Sequence, residues 1–180
     1  MDNSLTNDIY NKVQYHNDSL FTGMIKSFRA SASSLNLSGA DGDVQIGTYI
    51  PNKHGFDIRK ALTFGIRRLK PKSTGACAQY VREMLEAGGL STIGHPVAAY
   101  KYASFLPAIG FKHIATLVGH DNQANFSNNQ AQAGDIAVMA HGTYGHIHMF
   151  TGAGKWISDF ASNNMWVYPG EGKCYVFRFG

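Results

Sequence analysis

The stretch STGACAQYVREMLEAGG (73–89) constrains the fold most, because it predicts a helix that begins at a cysteine. Apolar residues recur at helical spacing from Cys77 onward. We expect Ser73 or Thr74 to cap the start of this helix and Gly88-Gly89 to end it. Cys77 then lies in the first turn, where free backbone N–H groups and the helix macrodipole favour the thiolate. The stretch therefore predicts a nucleophilic cysteine with a lowered pKa.

A cysteine nucleophile needs a base, and the segment GHIHMFTGAGKWISDF (145–160) offers two histidines. A glycine-rich turn separates two strand patterns, which predicts a hairpin. A two-residue turn at Gly152-Ala153 places His146 opposite Asp159, and a turn one residue later places His148 there. Side chains alternate along a strand, so the two histidines share a face. The residues alone therefore leave His146 and His148 open as the base, with Asp159 as the carboxylate that orients it.

The order of the predicted elements, helices first and strands afterwards, indicates an α+β domain. Helical patterns cover 58–69, 77–88 and 96–106, and strand patterns cover 44–51, 112–118, 135–140, 145–152, 154–160 and 173–179. We expect the strands to form an antiparallel meander with the helices packed on one side. Residues 1–40 differ in character and predict an N-terminal helical arm or extension, which leaves 41–180 as a single catalytic domain.

Charge and hydropathy argue against two classes of protein. Sixteen basic and twelve acidic residues give a net charge of +4, without a run of like charges. This excess favours approach to an anionic polymer such as bacterial cell wall, but it is too weak to predict nucleic-acid binding. The N-terminal residues lack the basic and apolar regions of a secretory signal, and no apolar run approaches the ~20 residues of a membrane span. We therefore expect a protein made in the bacterial cytoplasm without a Sec signal and without stable membrane insertion.

The ordered combination of these motifs resembles the NlpC/P60 and CHAP papain-like superfamily of peptidoglycan-cleaving cysteine peptidases and amidases. The matching residues are Cys77 at the start of its helix, Gly134-Asp135 before a strand, and Gly145-His146 at the start of the hairpin. The resemblance covers roughly 73–179 and implies a papain-like fold with His146 as the base. The third polar residue of the superfamily lies about twelve positions after the base, where this chain has Ser158. We assign the role to Asp159, one residue later, because a carboxylate orients an imidazolium better than a hydroxyl does.

The resemblance implies a cysteine amidase or endopeptidase that cleaves amide bonds of peptidoglycan stem peptides through Cys77, His146 and Asp159. The backbone N–H of Cys77 is the expected oxyanion donor, and no cofactor is implied. Short members without a signal include amidase toxins of type VI secretion and phage lysis enzymes. By this resemblance we expect an antibacterial effector or lytic enzyme, exported to act in a target cell's periplasm or wall, with an immunity protein and secretion machinery as partners.

Two other functions fit the same residues. His146, His148 and Asp159 form a two-histidine, one-carboxylate set of the kind that binds hydrolytic zinc or non-haem iron. Alternatively, the chain is a non-catalytic protein that binds the cell wall and keeps only the fold.

The roles of the other polar and aromatic residues follow from their neighbours in the sequence. Cys174 alternates with aromatic residues in the last strand pattern and is predicted to be core, although an oxidising compartment would allow a Cys77–Cys174 disulfide. We expect Tyr100 and Tyr102 to belong to the core, since aromatic residues at helical spacing usually pack inside. Asp135 is expected to brace the turn before its strand.

Overall fold

The structure is a computed structural model that describes residues 35–39, 42–47, 55–119, 126, 130–168 and 172–180. Of the N-terminal arm predicted at 1–40, only 35–39 lie in this set, and the arm stays a prediction. Most of the Asn- and Gln-rich stretch 121–132, whose lack of periodicity predicts a surface loop, also lies outside the described residues.

The described elements follow the predicted order of helices before most of the strands. The helices are α1 (Ile58–Ile66), α2 (Cys77–Ala87) and α3 (Tyr102–Phe105), the last flanked by 3-10 turns at Ala99–Lys101 and Leu106–Ile109. The strands are β1 (Leu35–Gly39), β2 (Gly42–Ile46), β3 (Phe111–Val118), β4 (Ile136–Ala140), β5 (His146–Phe150), β6 (Trp156–Ile157), β7 (Ala161–Ser162) and β8 (Lys173–Phe179). Among these helices, none has the length and apolar character needed to cross a membrane.

The strands form a two-stranded sheet, β1-β2, and a six-stranded antiparallel sheet in the order β3-β8-β4-β5-β6-β7. This arrangement confirms the α+β class. The expected meander holds only from β4 to β7, because β8 lies between β3 and β4. Strand β8 is buried on both faces, since Cys174 and Val176 belong to one apolar cluster and Phe177 to the other.

The two faces of the large sheet bury separate apolar clusters. Ile147 and Met149 of β5 pack with residues of α1 and α2 on one face. The opposite face buries Met139, Trp156 and Cys174, among others. Cys174 is therefore core, as predicted, and both cysteines are free, so no Cys77–Cys174 disulfide forms. This division matters for the candidate site because side chains of β5 alternate between the two faces, and this strand carries both candidate histidines.

Asp135 braces the start of β4, as the sequence predicted. Its carboxylate accepts two hydrogen bonds from the Arg178 guanidinium, both 2.7 Å long, and a third from the backbone N–H of Gln132 at 2.8 Å. Its carbonyl accepts from the N–H of Phe150. Burial raises the pKa of Asp135, and the Arg178 charge opposes that rise. The pair therefore ties β8 to the turn that leads into β4.

Replacing Arg178 with alanine should lower the free energy of unfolding by about 3 kcal/mol, because it leaves a buried carboxylate without its cation. Chemical denaturation measures this change. The matched control is Lys112→Ala, since Lys112 is an exposed cation on β3 that lies opposite Arg178 of β8 in the strand register. Equal losses in the two variants would contradict a specific role for the Asp135–Arg178 pair.

Candidate active site

Cys77 is the first residue of α2, as predicted, but the start of this helix has no side-chain cap. The N-cap residue is Ala76, and no side chain of the preceding segment caps the helix, so the prediction of a Ser73 or Thr74 cap is wrong. The carboxylate of Asp159, more than eighty residues later, accepts hydrogen bonds from the backbone N–H of Thr74 at 2.5 Å and of Ala76 at 3.4 Å. Asp159 thus anchors the segment just before α2, while no side chain caps the first N–H groups of the helix itself.

The thiol of Cys77 is half-buried and packs against the cluster on the helix side. Burial raises its pKa above the ordinary value. Backbone N–H groups of Ile147, Ala78 and Cys77 hydrogen-bond to the sulfur and act in the opposite direction, but they do not offset the loss of solvent. The prediction of a lowered pKa is therefore wrong in sign. At neutral pH the group is a thiol, and it needs a base to become a nucleophile.

The register of the hairpin differs from both expectations. Met149 pairs with Ile157 and Phe150 with Trp156, so the turn contains three residues, 152–154. Both glycines of this turn have positive φ, 79° at Gly152 and 80° at Gly154. Neither histidine lies opposite Asp159 in this register, because the predicted second strand ends at Ile157 and a turn follows it.

The two histidines share one face of the sheet, as predicted. His146 pairs with Met139 and His148 with Ala137, and both of these partners belong to the cluster opposite the helices. Cys77 approaches the same strand from the helix side, where its sulfur meets the backbone N–H of Ile147. No hydrogen bond joins Cys77 to either imidazole among the described contacts. Cys77 and the two histidines therefore all border the first residues of β5, without a described hydrogen bond from the thiol to either imidazole.

His146 has the environment of a neutral imidazole. Its side chain is buried against the rings of Phe160 (5.9 Å between centroids) and Tyr168 (6.0 Å). Burial lowers the pKa of His146 to about 4, and the charge of Asp159 opposes this fall. Nε2 of His146 has no hydrogen-bond partner among the described residues, and the same holds for Nε2 of His148. An unpaired buried nitrogen is costly, and functional sites are where such groups concentrate.

His148 lies deeper and has a structural environment. Its ring stacks on Trp156 at 4.8 Å with 30° between the planes, and the backbone of Met165 hydrogen-bonds to it. Burial holds the pKa of His148 well below its usual range, and the neighbouring His146 lowers it further. This enclosure favours His146 over His148 as the base.

The residues do not fit the alternative metal site. His146, His148 and Asp159 all belong to the described residues, where no group of three or more His, Cys, Asp or Glu side chains is arranged to hold a metal ion. The two imidazoles meet edge to face at 5.0 Å, and the Asp159 carboxylate is directed at the segment before α2.

The charge of Asp159 acts on both Cys77 and His146. Its side chain is fully buried, and its oxygens accept from the hydroxyls of Thr74 (2.9 Å) and Ser158 (3.1 Å) as well as from backbone donors. Burial alone would raise its pKa, but these hydrogen bonds lower it, so the group is a carboxylate. Its charge raises the pKa of both Cys77 and His146. Asp159 thus holds the start of α2 and favours a protonated His146.

Comparison with known proteins gives similarity at the level of structure. No protein-family model matches the chain, and no curated protein matches it. The chain is similar to a chain from the native type VI effector–immunity complex Tae3–Tai3 of Ralstonia pickettii, with a TM-score of 0.55 and 24% identity over 69% of this chain and 100% of that one. The selenomethionine form of the same complex gives a TM-score of 0.50 and 25% identity over 66% and 99%. The fold is that of a protein from a type VI effector–immunity complex. Since essentially the whole of the solved chain is covered, the likeness extends beyond a shared fragment.

The sequence analysis singled out Gly145 but missed Tyr168, and both lie near the site. Gly145 has φ 68°, and a Cβ there would lie 2.4 Å from the carbonyl oxygen of Met139, so only glycine allows this entry into His146. The hydroxyl of Tyr168 donates to the carbonyl of Gly145 at 3.4 Å. The Gly-His pair was visible in the sequence, but nothing local signalled Tyr168.

The two tyrosines assigned to the core have different positions. Tyr102 is buried, as predicted, and its hydroxyl donates to the carbonyl of Ala78 in the first turn of α2. Tyr100 is 39% exposed, so its core assignment is wrong. Tyr100 packs against the tight segment at Gly145, and its backbone N–H donates to the carbonyl of Tyr144.

Proposed function

We propose that this chain is a peptidoglycan-degrading cysteine amidase that acts as an antibacterial effector and cleaves amide bonds of stem peptides. The proposal rests on three groups that border the first residues of β5, although no hydrogen bond joins the thiol to an imidazole among the described contacts. The three groups are a thiol that opens a helix, a buried imidazole with a free Nε2, and a carboxylate whose charge acts on both. The likeness to a chain of a type VI effector–immunity complex supports the effector role.

The proposed reaction is acyl transfer in two steps. His146 accepts the thiol proton as the sulfur of Cys77 attacks the amide carbonyl, and it then protonates the leaving amine as the C–N bond breaks. Water attacks the resulting thioester, His146 takes a proton from that water, and the thiol is restored as the acid product leaves. Because no hydrogen bond joins this thiol and imidazole among the described contacts, the proposed proton transfer requires the two groups to approach each other when substrate binds. Catalytic hydrogen bonds often tighten only when substrate is bound.

Backbone donors supply the charge stabilisation that this reaction needs. The N–H groups of Cys77, Ala78 and Ile147 interact with the sulfur, and the N–H of Cys77 is the proposed donor to the oxyanion that develops on the substrate carbonyl. One well-aligned donor of this kind lowers the activation free energy by about 3 kcal/mol. Asp159 completes the arrangement in the proposal, since its charge favours the imidazolium and its hydrogen bonds hold the start of α2.

The biological setting follows from the same proposal. The effector is exported by type VI secretion and acts in the periplasm or cell wall of a target cell. An immunity protein in the producing cell would bind it, as expected for an enzyme that attacks the producer's own wall.

Digestion of purified peptidoglycan sacculi tests the function. We expect the protein to release fragments whose masses identify the broken amide bond, and pretreatment with iodoacetamide to abolish the release. EDTA should have no effect. Loss of activity with EDTA but not with iodoacetamide would overturn the cysteine mechanism in favour of a metal-dependent hydrolase. Binding to sacculi without any cleavage would support the non-catalytic alternative.

A further inference from the structure

A groove of about 720 Å³ lies along the outer surface of α1, away from Cys77. Its lining includes Arg59, Thr63, Phe64 and Arg67 from the segment of α1, and Ala87 from the end of α2. Phe64 is one of the few large apolar side chains exposed among the described residues. The groove therefore combines four cations and one carboxylate, that of Asp57, with an accessible aromatic ring, and the reaction described above uses none of these groups.

Two of the cations in the groove have no anionic partner among the residues that the structure describes. Lys60 pairs with Asp57 at 3.6 Å, and Arg68 forms an ion pair with Glu83. Arg59 and Arg67 form no ion pair with any described residue. Unpaired guanidinium groups that line one groove attract carboxylates or phosphates, and guanidinium binds such groups in bidentate geometry.

The spacing of these two arginines selects a ligand with more than one charge. They are eight residues apart on a helical segment, which separates them by about 12 Å along the axis at 1.5 Å per residue. A single small anion cannot span this distance. An extended peptide rises about 3.3 Å per residue, so two carboxylates three or four residues apart would reach both guanidinium groups.

We propose that this groove is a second binding site for peptidoglycan, which holds an uncleaved stem peptide while Cys77 acts on a neighbouring one. This inference rests on the proposed function. Stem peptides carry several free carboxylates along a short chain, which matches the two unpaired arginines. The ring of Phe64 offers an apolar surface to a sugar or alkyl group, and the Arg68 guanidinium stacks on that ring at 4.8 Å and holds it in place. Thr63 adds a hydroxyl between the two arginines.

Binding to insoluble sacculi tests the groove without any need for catalysis. All proteins carry Cys77→Ala so that the wall stays intact, and the bound fraction is measured by sedimentation at two salt concentrations. Arg59→Gln combined with Arg67→Gln should weaken binding about tenfold, and added salt should reduce the difference. Lys112→Gln combined with Lys173→Gln is the matched control, because it removes the same charge from exposed positions outside the groove. The control should change binding less than twofold.

Kinetics with an intact Cys77 separate this inference from the proposed function. The groove variant should digest sacculi more slowly than wild type, but cleave small soluble muropeptides at the wild-type rate. Equal binding of the groove variant and the charge control would overturn the groove as a wall site, and an acidic protein would then be the better occupant. A failure of Cys77→Ala to abolish cleavage would overturn the proposed function while leaving the binding result intact.

Discussion

Cys77→Ala should hydrolyse peptidoglycan stem peptides at least about 10⁴-fold more slowly than wild type, because it removes the atom that forms the covalent intermediate. Backbone donors and substrate binding remain and account for the residual rate. The measurement is the initial rate of fragment release from sacculi, followed by mass spectrometry. Since the side chain is half-buried and small, the variant should fold normally.

Cys174→Ala is the matched control for this prediction. Cys174 is the other free thiol, buried in the sheet cluster opposite the helices, and burial raises its pKa to about 12. Its loss should cost some stability through the cavity it leaves, while activity at low temperature should stay within about threefold of wild type. Equal rates for Cys77→Ala and wild type would exclude a cysteine nucleophile.

Local sequence was enough to predict the cysteine helix and most strands. The helix pattern from Cys77 and the glycines after Ala87 gave both ends of α2 within a residue. The strand pattern 173–179 matched β8 in full. In each case the period of apolar residues and the nearest glycines decide the element, and both are visible in the sequence.

Tertiary contacts decided what local sequence could not. The turn at 152–154 packs against a distant strand end, where Gly47 donates to the carbonyl of Thr151 and a Cβ on Gly152 would lie 2.8 Å from Ala133. This packing selects a three-residue turn, which shifts Asp159 out of the cross-strand positions opposite the two histidines. The same carboxylate then hydrogen-bonds to the segment before a helix more than eighty residues earlier. The sign of the pKa shift at Cys77 has a similar origin, since burial depends on the whole fold and outweighs the local helix terminus.

His146→Gln should lower kcat/KM by about 10³-fold, because an amide of similar shape cannot accept the thiol proton. The companion variant His148→Phe keeps an aromatic ring on Trp156 and removes the neighbouring imidazole. We expect it to retain activity within about threefold when near-UV circular dichroism confirms that it is folded. Full loss of activity in a folded His148→Phe variant, with activity kept in His146→Gln, would assign the base to His148.

The pH dependence of wild-type activity is an independent test of His146 as the base. Proton abstraction requires neutral imidazole, which exists above its pKa, so activity is present at neutral pH and is lost as the pH falls through that value. Because burial lowers the pKa of His146 to about 4, the acidic limb of kcat/KM should fall near pH 4, well below the 6.5 of an exposed histidine. Short assays under conditions where the protein stays folded measure this limb. A limb near pH 6.5 would mean that the catalytic imidazole is solvated in the free enzyme, and a neutral buried His146 could not then be the base.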